Sequence, residues 1–165
     1  IILNLLKMIN KLIKKKSVII FDLDGVLLNS KNNMRYAWKQ TSKVNKLRFT
    51  FNDYFKHVGL PFKKILSVMG IKNKKIKIKN DYDRSSIKNI NRLKIYPNVI
   101  TTINKLKKQN KSIALFTSKD STRTKLFTKK FKIQFDHMEC GGKSIKGKPY
   151  PDQIRKILKK FNCPR

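Results

Sequence analysis

The chain has 165 residues, with 41 Lys and Arg against 9 Asp and Glu, a formal charge of +32. The basic residues are spread through every segment, Lys far outnumbers Arg, and no nucleic-acid-binding motif occurs. Codons rich in A and T are therefore a simpler account of the charge than a dedicated nucleic-acid surface. Cys140 and Cys163 form no metal pair or disulfide framework, which excludes a disulfide-stapled or thiolate-metal domain.

In chain order, residues 1–13 are apolar but lack a leading basic segment and a small-residue cleavage site, and are too short to span a bilayer. A cytoplasmic chain without a membrane contact is expected. The run Val18–Leu28 then places a continuous apolar strand before Asp22, Asp24 and Gly25. Such runs suit interior strands of parallel sheets, whose carboxyl ends bind ligands. Period-2 alternation points both acids the same way, and Gly25 permits a sharp turn without obstructing a ligand. Two carboxylates so placed point to phosphoryl-transfer chemistry.

From about Lys31 to Ile95 the apolar spacings of three and four fit a helical insert, with no alternating strand expected. Met34, Ala37, Trp38 and Thr41 fall on one face, Ile65, Leu66 and Met69 on another, and Ile87, Ile90 and Leu93 on a third. Each stripe is read as packing, and Trp38 as core. The dense charge run Lys72–Lys79 reads as a solvated helix. Between two helices, His57 to Phe62 carries a Gly and a Pro that mark a fixed turn. His57 and His137 do not cluster with carboxylates, so neither reads as a transition-metal ligand.

Pro97 sits near the start of a helix bearing Val99, Ile100, Ile103 and Leu106. Ser112–Lys119 is a second apolar strand, ending in the hydroxyl pair Thr117 and Ser118, and helical patterns are expected after it. Cys140 is read as a packed or loop thiol. Gly142-Lys143-Ser144 lacks the glycine and following helix of a nucleotide-binding loop. Gly147-Lys148-Pro149-Tyr150-Pro151-Asp152 opens a helix whose stripe is Ile154, Ile157, Leu158 and Phe161, with Asp152 as an N-cap or first-turn acid.

Three of these segments resemble, in order, the motifs of the haloacid dehalogenase-like (HAD) superfamily. Phe21-Asp22-Leu23-Asp24-Gly25-Val26 with Val26-Leu27-Leu28-Asn29-Ser30 looks like the first motif. The strand ending at Thr117 looks like the second, and Lys148-Pro149-Tyr150-Pro151-Asp152 like the Lys-Pro-x-Pro-Asp signature. The resemblance is closest to the phosphoglycolate-phosphatase-like branch. It implies an α/β, Rossmann-like parallel-sheet core over residues 8–30 and 96–165, interrupted by an α-helical cap over residues 31–95, with Tyr96-Pro97-Asn98-Val99 as the return from cap to core.

The same resemblance implies a Mg²⁺-dependent phosphatase acting on a small phosphorylated metabolite. Asp22 would be the nucleophile that forms an aspartyl-phosphate and Asp24 the acid and base, and the metal would be held by the Asp22 carboxylate and the backbone carbonyl of Asp24. Thr117, Ser118 and Lys148 would bind phosphate, while His57 and Gly59 in the cap turn would select substrate. A phosphosugar mutase resembling β-phosphoglucomutase would use the same residues. A dehalogenase would not require Asp24, and a basic nucleic-acid-binding protein stands as a reading from a different class. Oligomeric state has no signal here.

A further acidic motif of the family, which completes the metal shell, has no counterpart because no acid follows Asp152. With Ile at position 1 and Met8 as a start, the chain reads as an incomplete frame of a longer protein, its C-terminal strands lacking and the strand before Asp22 left as an exposed edge. Weak Mg²⁺ binding and low activity are expected of it.

Overall fold

The computed structural model describes residues 17–142 and 147–163. The apolar residues 1–13 and the Lys143-Ser144 pair lie outside the described residues. In chain order the first elements are β1 (Val18–Phe21), β2 (Leu28–Asn29), α1 (Lys31–Val44), α2 (Phe51–Phe55), α3 (Phe62–Val68) and α4 (Lys75–Lys88). A short 3₁₀ turn (Ile90–Arg92) leads to β3 (Lys94–Ile95), α5 (Val99–Lys108), β4 (Ser112–Asp120), α6 (Ser121–Lys130), β5 (His137–Gly141) and α7 (Asp152–Lys160).

The main sheet has three strands in the order β1-β4-β5, all parallel. Val18 to Phe21 pair with Ser112 to Leu115, so the two apolar runs lie side by side and end at the same rim. Because successive side chains alternate, β1 and β4 feed both faces. Phe21 and Leu115 join Val99 and Ile103 of α5, Phe127 of α6 and Ile133 on one side. Val18, Ile20, Ala114 and Phe116 meet Ile154, Ile157 and Phe161 on the other. Helices therefore cover both faces, as a buried parallel sheet requires. The chain is an α/β protein with a Rossmann-like core.

The residues between β2 and β3 fold as helices around a separate cluster that includes Met34, Ala37, Trp38, Tyr54, Ile65, Leu66, Met69 and Tyr82. Two of the three expected stripes pack in it as anticipated. Trp38 is buried, stacked on Tyr54 with centroids 4.6 Å apart, and its Nε1 donates to Phe49 O at 3.1 Å. Asn33 ties α1 to α4: its Nδ2 donates to the carbonyls of Ser86 and Asn89 at 2.9 and 2.8 Å, and Ser86 Oγ donates to its Oδ1 at 2.8 Å. Buried polar groups of this kind need full pairing, and these have it.

The third stripe is corrected. α4 buries Ile78, Tyr82 and Ser86, and it ends at Lys88. Leu93, with Ile90 against it, packs in the sheet-side cluster instead, because the 3₁₀ turn breaks the helical period after α4. Three strands, β2, β3 and β5, were also not expected. β3 pairs antiparallel with β2, Leu28 opposite Ile95 and Asn29 opposite Lys94, in a ribbon too short to show alternation. β5 carries His137 and Glu139 between its apolar residues, which hides it as a strand. Glu139 is fully buried there, with His137 Nε2 at 2.7 Å and Lys156 Nζ at 3.0 Å from its Oε1. Asp152 is the first residue of α7, as a first-turn acid, and Cys140 is buried.

Candidate active site

Asp22 and Asp24 follow β1 directly. The chain then folds back: Leu27 and Leu28 N–H both donate to Leu23 O, at 3.1 and 2.9 Å, and Gly25 N–H donates to Leu28 O at 2.9 Å. Gly25 has φ +82°, in the left-handed region that a side chain disfavours, so this tight return depends on it. The return leaves both carboxylates at the rim where β4 also ends.

Asp22 Oδ1 accepts from Leu23 N–H at 2.8 Å and lies 2.9 Å from Lys148 Nζ. Lys148 arrives from the turn before α7, its ammonium 4.6 Å from the Phe116 ring centroid. Asp24 Oδ2 lies 3.0 Å from Lys119 Nζ, and its Oδ1 is buried with no hydrogen-bond partner. Thr117 is buried, its Oγ1 accepting from Lys119 N–H at 3.2 Å. Ser118 Oγ donates to Gly59 O of the helical insert at 2.6 Å. Asp22, Asp24, Thr117, Ser118 and Lys148 all line one crevice of about 150 Å³, from three segments of the chain.

The insert supplies the facing wall with Met34, Tyr54, Leu60, Phe62, Ile65 and Tyr82. Gly59 lines the crevice; His57 does not, since the turn directs Val58, Gly59 and Leu60 inward. Gly141, the last residue of β5, packs directly against β4 behind Ser118: a Cβ there would stand 2.1 Å from Ser118 O.

Sequence reasoning did not single out Lys119 and Arg123, which also line the crevice. The alternation that makes Thr117 and Lys119 neighbours on one face of β4 is the signal that could have shown Lys119. Its burial lowers the ammonium pKa, an effect opposed by Asp24. Arg123 carried no such signal, because its partner Asp83 is distant in sequence.

Arg123 Nε lies 2.6 Å from Asp120 Oδ2, and its Nη2 3.1 Å from Asp83 Oδ1 on α4. Burial, the largest single influence, would raise the Asp120 carboxyl, but the Arg123 guanidinium, the Arg123 backbone N–H and Lys79 together outweigh it and hold the pKa below the usual value. A lowered folded-state pKa stabilises above the unfolded value, about 3.9, and that contribution vanishes as pH falls through the folded value. The melting temperature is therefore expected to fall below about pH 4, and less steeply in Asp120→Asn. An equal slope in both proteins, followed by circular dichroism, would refute this.

The site offers a divalent cation the Asp22 carboxylate and the backbone carbonyl of Asp24, both hard oxygen donors, while the buried Oδ1 of the Asp24 carboxyl, without a hydrogen-bond partner, is left for proton transfer. Mg²⁺ is commonly bound through one or two carboxylates and substrate phosphate, so these residues fit it. Among the described residues no cluster of three or more His, Cys, Asp or Glu side chains could hold a metal, and no third acid lines the crevice.

Residues 19–165 match the profile of the haloacid dehalogenase-like hydrolases, and the chain belongs to that family. No curated protein matches the chain. Among solved structures, a hydrolase from Pseudomonas syringae aligns with TM-score 0.80 at 20% identity, covering 90% of this chain and 72% of that one. A predicted phosphoglycolate phosphatase from Haemophilus somnus aligns with TM-score 0.76 at 22% identity, covering 91% and 73%. CbbY from Rhodobacter sphaeroides, in complex with xylulose-1,5-bisphosphate, aligns with TM-score 0.75 at 16% identity, covering 90% and 74%. No helix among the described residues is long and apolar enough to cross a membrane.

Proposed function

We propose that the chain is a Mg²⁺-dependent phosphatase that hydrolyses a small phosphorylated metabolite through an aspartyl-phosphate on Asp22. The observation that carries this reading is the convergence of Asp22, Asp24, Thr117, Ser118 and Lys148 on one crevice. Similarity to a predicted phosphoglycolate phosphatase and to a bisphosphate-bound structure supports it. Residues 31–95 serve as a cap over a core of residues 8–30 and 96–165, and the cap turn at Gly59 stands over the phosphate site.

A carboxylate attacking an anionic ester must first overcome repulsion. Lys148, 2.9 Å from Asp22, supplies one positive charge where the phosphate would lie. Asp22 forms a bond to phosphorus as the ester P–O bond breaks, and Asp24 gives its proton to the departing oxygen. Asp24 then takes a proton from a water that attacks the phosphoryl-aspartate, releasing phosphate and restoring Asp22. Thr117 supplies a hydroxyl donor to the phosphate oxygens, and Ser118 supplies a second when its hydroxyl turns away from Gly59 O. Asp22 and Asp24 would hold the Mg²⁺, which when bound neutralises phosphate charge. The mostly apolar wall from Met34, Leu60, Phe62 and Ile65 suits a small leaving group.

The test is phosphate release from p-nitrophenyl phosphate with Mg²⁺ present. Release should stop when EDTA removes the metal and resume on adding excess Mg²⁺. Hydrolysis that persists in EDTA, or that does not exceed the Asp22→Asn background, would overturn the proposal.

A further inference from the structure

Arg123 is a core residue on α6 whose side chain is almost wholly buried, yet one of its two acidic partners belongs to the insert. Its Nε donates to Asp120 Oδ2 at 2.6 Å, its Nη2 is 3.1 Å from Asp83 Oδ1 of α4 in an ion pair without hydrogen-bond alignment, and its guanidinium carbon lies 5.4 Å from the Tyr82 ring centroid. Lys79 completes the group: it pairs with Asp83 one helical turn away and reaches Asp120 at 4.0 Å. Two cations and two carboxylates thus neutralise one another across the junction between α4 and the end of β4. Low exposure makes such pairs sensitive to the loss of either partner.

What this cluster holds is the crevice wall. Tyr82 is next to Asp83, its hydroxyl 3.0 Å from the Tyr54 hydroxyl, and both rings line the crevice. At the other side of the cluster, Asp120 is two residues beyond Ser118. The broad, planar guanidinium reaches both carboxylates at once, hydrogen-bonded to Asp120 and ion-paired with Asp83, where a single ammonium is a point charge. We propose that Arg123 is a positioning residue that clamps Asp83 of α4 to Asp120 of β4, and thereby sets the Tyr54–Tyr82 wall over the phosphate-binding rim. The kinetic consequence rests on the phosphatase reading; the clamp itself does not.

The experiment uses the full chain and its Asp83→Asn, Arg123→Gln, Arg123→Lys and doubly substituted Asp83→Asn/Arg123→Gln forms. With p-nitrophenyl phosphate and Mg²⁺, Asp83→Asn should raise KM about 10-fold while kcat stays within about twofold, because the reacting groups are untouched. The double variant should be no worse than Arg123→Gln alone, the signature of coupled partners, and Arg123→Lys should recover part of the KM loss. In parallel, hydrogen exchange should quicken in α4 but not in α5 or α7. An unchanged KM in Asp83→Asn beside a raised KM in Arg123→Gln would mean that Arg123 meets the ligand itself, and overturns the clamp. A kcat loss equal to the KM change would reduce the cluster to general stability and also overturns it. If none of the proteins hydrolyses the ester, the phosphatase reading fails, and unchanged exchange in α4 then separately decides against the clamp.

Discussion

Asp22→Asn should lower turnover by about 10⁴-fold or more, the scale seen when a nucleophile is removed from a site whose other groups remain. The amide keeps the shape and the Leu23 N–H contact but cannot form the acyl phosphate. Stability should change by less than about 1 kcal/mol, because the lost Lys148 pair is partly exposed, with 35% of the Asp22 side chain accessible. Phosphate release and a thermal melt on the same preparation separate the two effects. Turnover at the unsubstituted rate would remove Asp22 from its assigned role.

Gly141→Ala should produce the largest single loss of stability from one added methyl. A Cβ at this position would lie 2.1 Å from Ser118 O and 2.7 Å from Ser118 C, both backbone atoms of the central strand. No rotamer change relieves such a contact, so β5 must move away from β4 or Ser118 must shift. We expect about 3 kcal/mol of destabilisation, at the upper end for overpacking, read from urea unfolding. Because β4 and β5 already shift register between Thr117 and Asp120, the displacement should also disturb the hydroxyl pair and raise KM. A loss under about 1 kcal/mol would show that the strands accommodate the methyl.

The parts legible in the sequence were those written in contiguous residues. β1, β4 and the helix stripes around Trp38 and Leu66 show continuous or periodic apolar patterns, and the acids, the hydroxyl pair and Lys148 stand at the ends of such segments. β5 was illegible because it buries Glu139, whose charge is matched by Lys156 of α7, seventeen residues along the chain. Ile90 and Leu93 were assigned to the wrong cluster because spacing alone does not reveal where a helix tightens into a 3₁₀ turn. Arg123 and Asp83 were missed for a related reason: forty residues separate them, and among 41 basic side chains nothing local marks the one that bridges two parts of the fold. His57, by contrast, stood in the right turn but one position too early to enter the crevice.

The β2–β3 ribbon brings the outgoing and returning connections of the insert together, Leu28 against Ile95 and Asn29 against Lys94, and Tyr96 N–H donates to Leu27 O at 3.1 Å. The whole excursion therefore departs and rejoins at a single graft point. A short hairpin loop could join the two strands in its place, and an excursion of different length or wall chemistry could be spliced there without re-registering β1 against β4. That modularity lets the reactive rim and the surface facing it diversify independently.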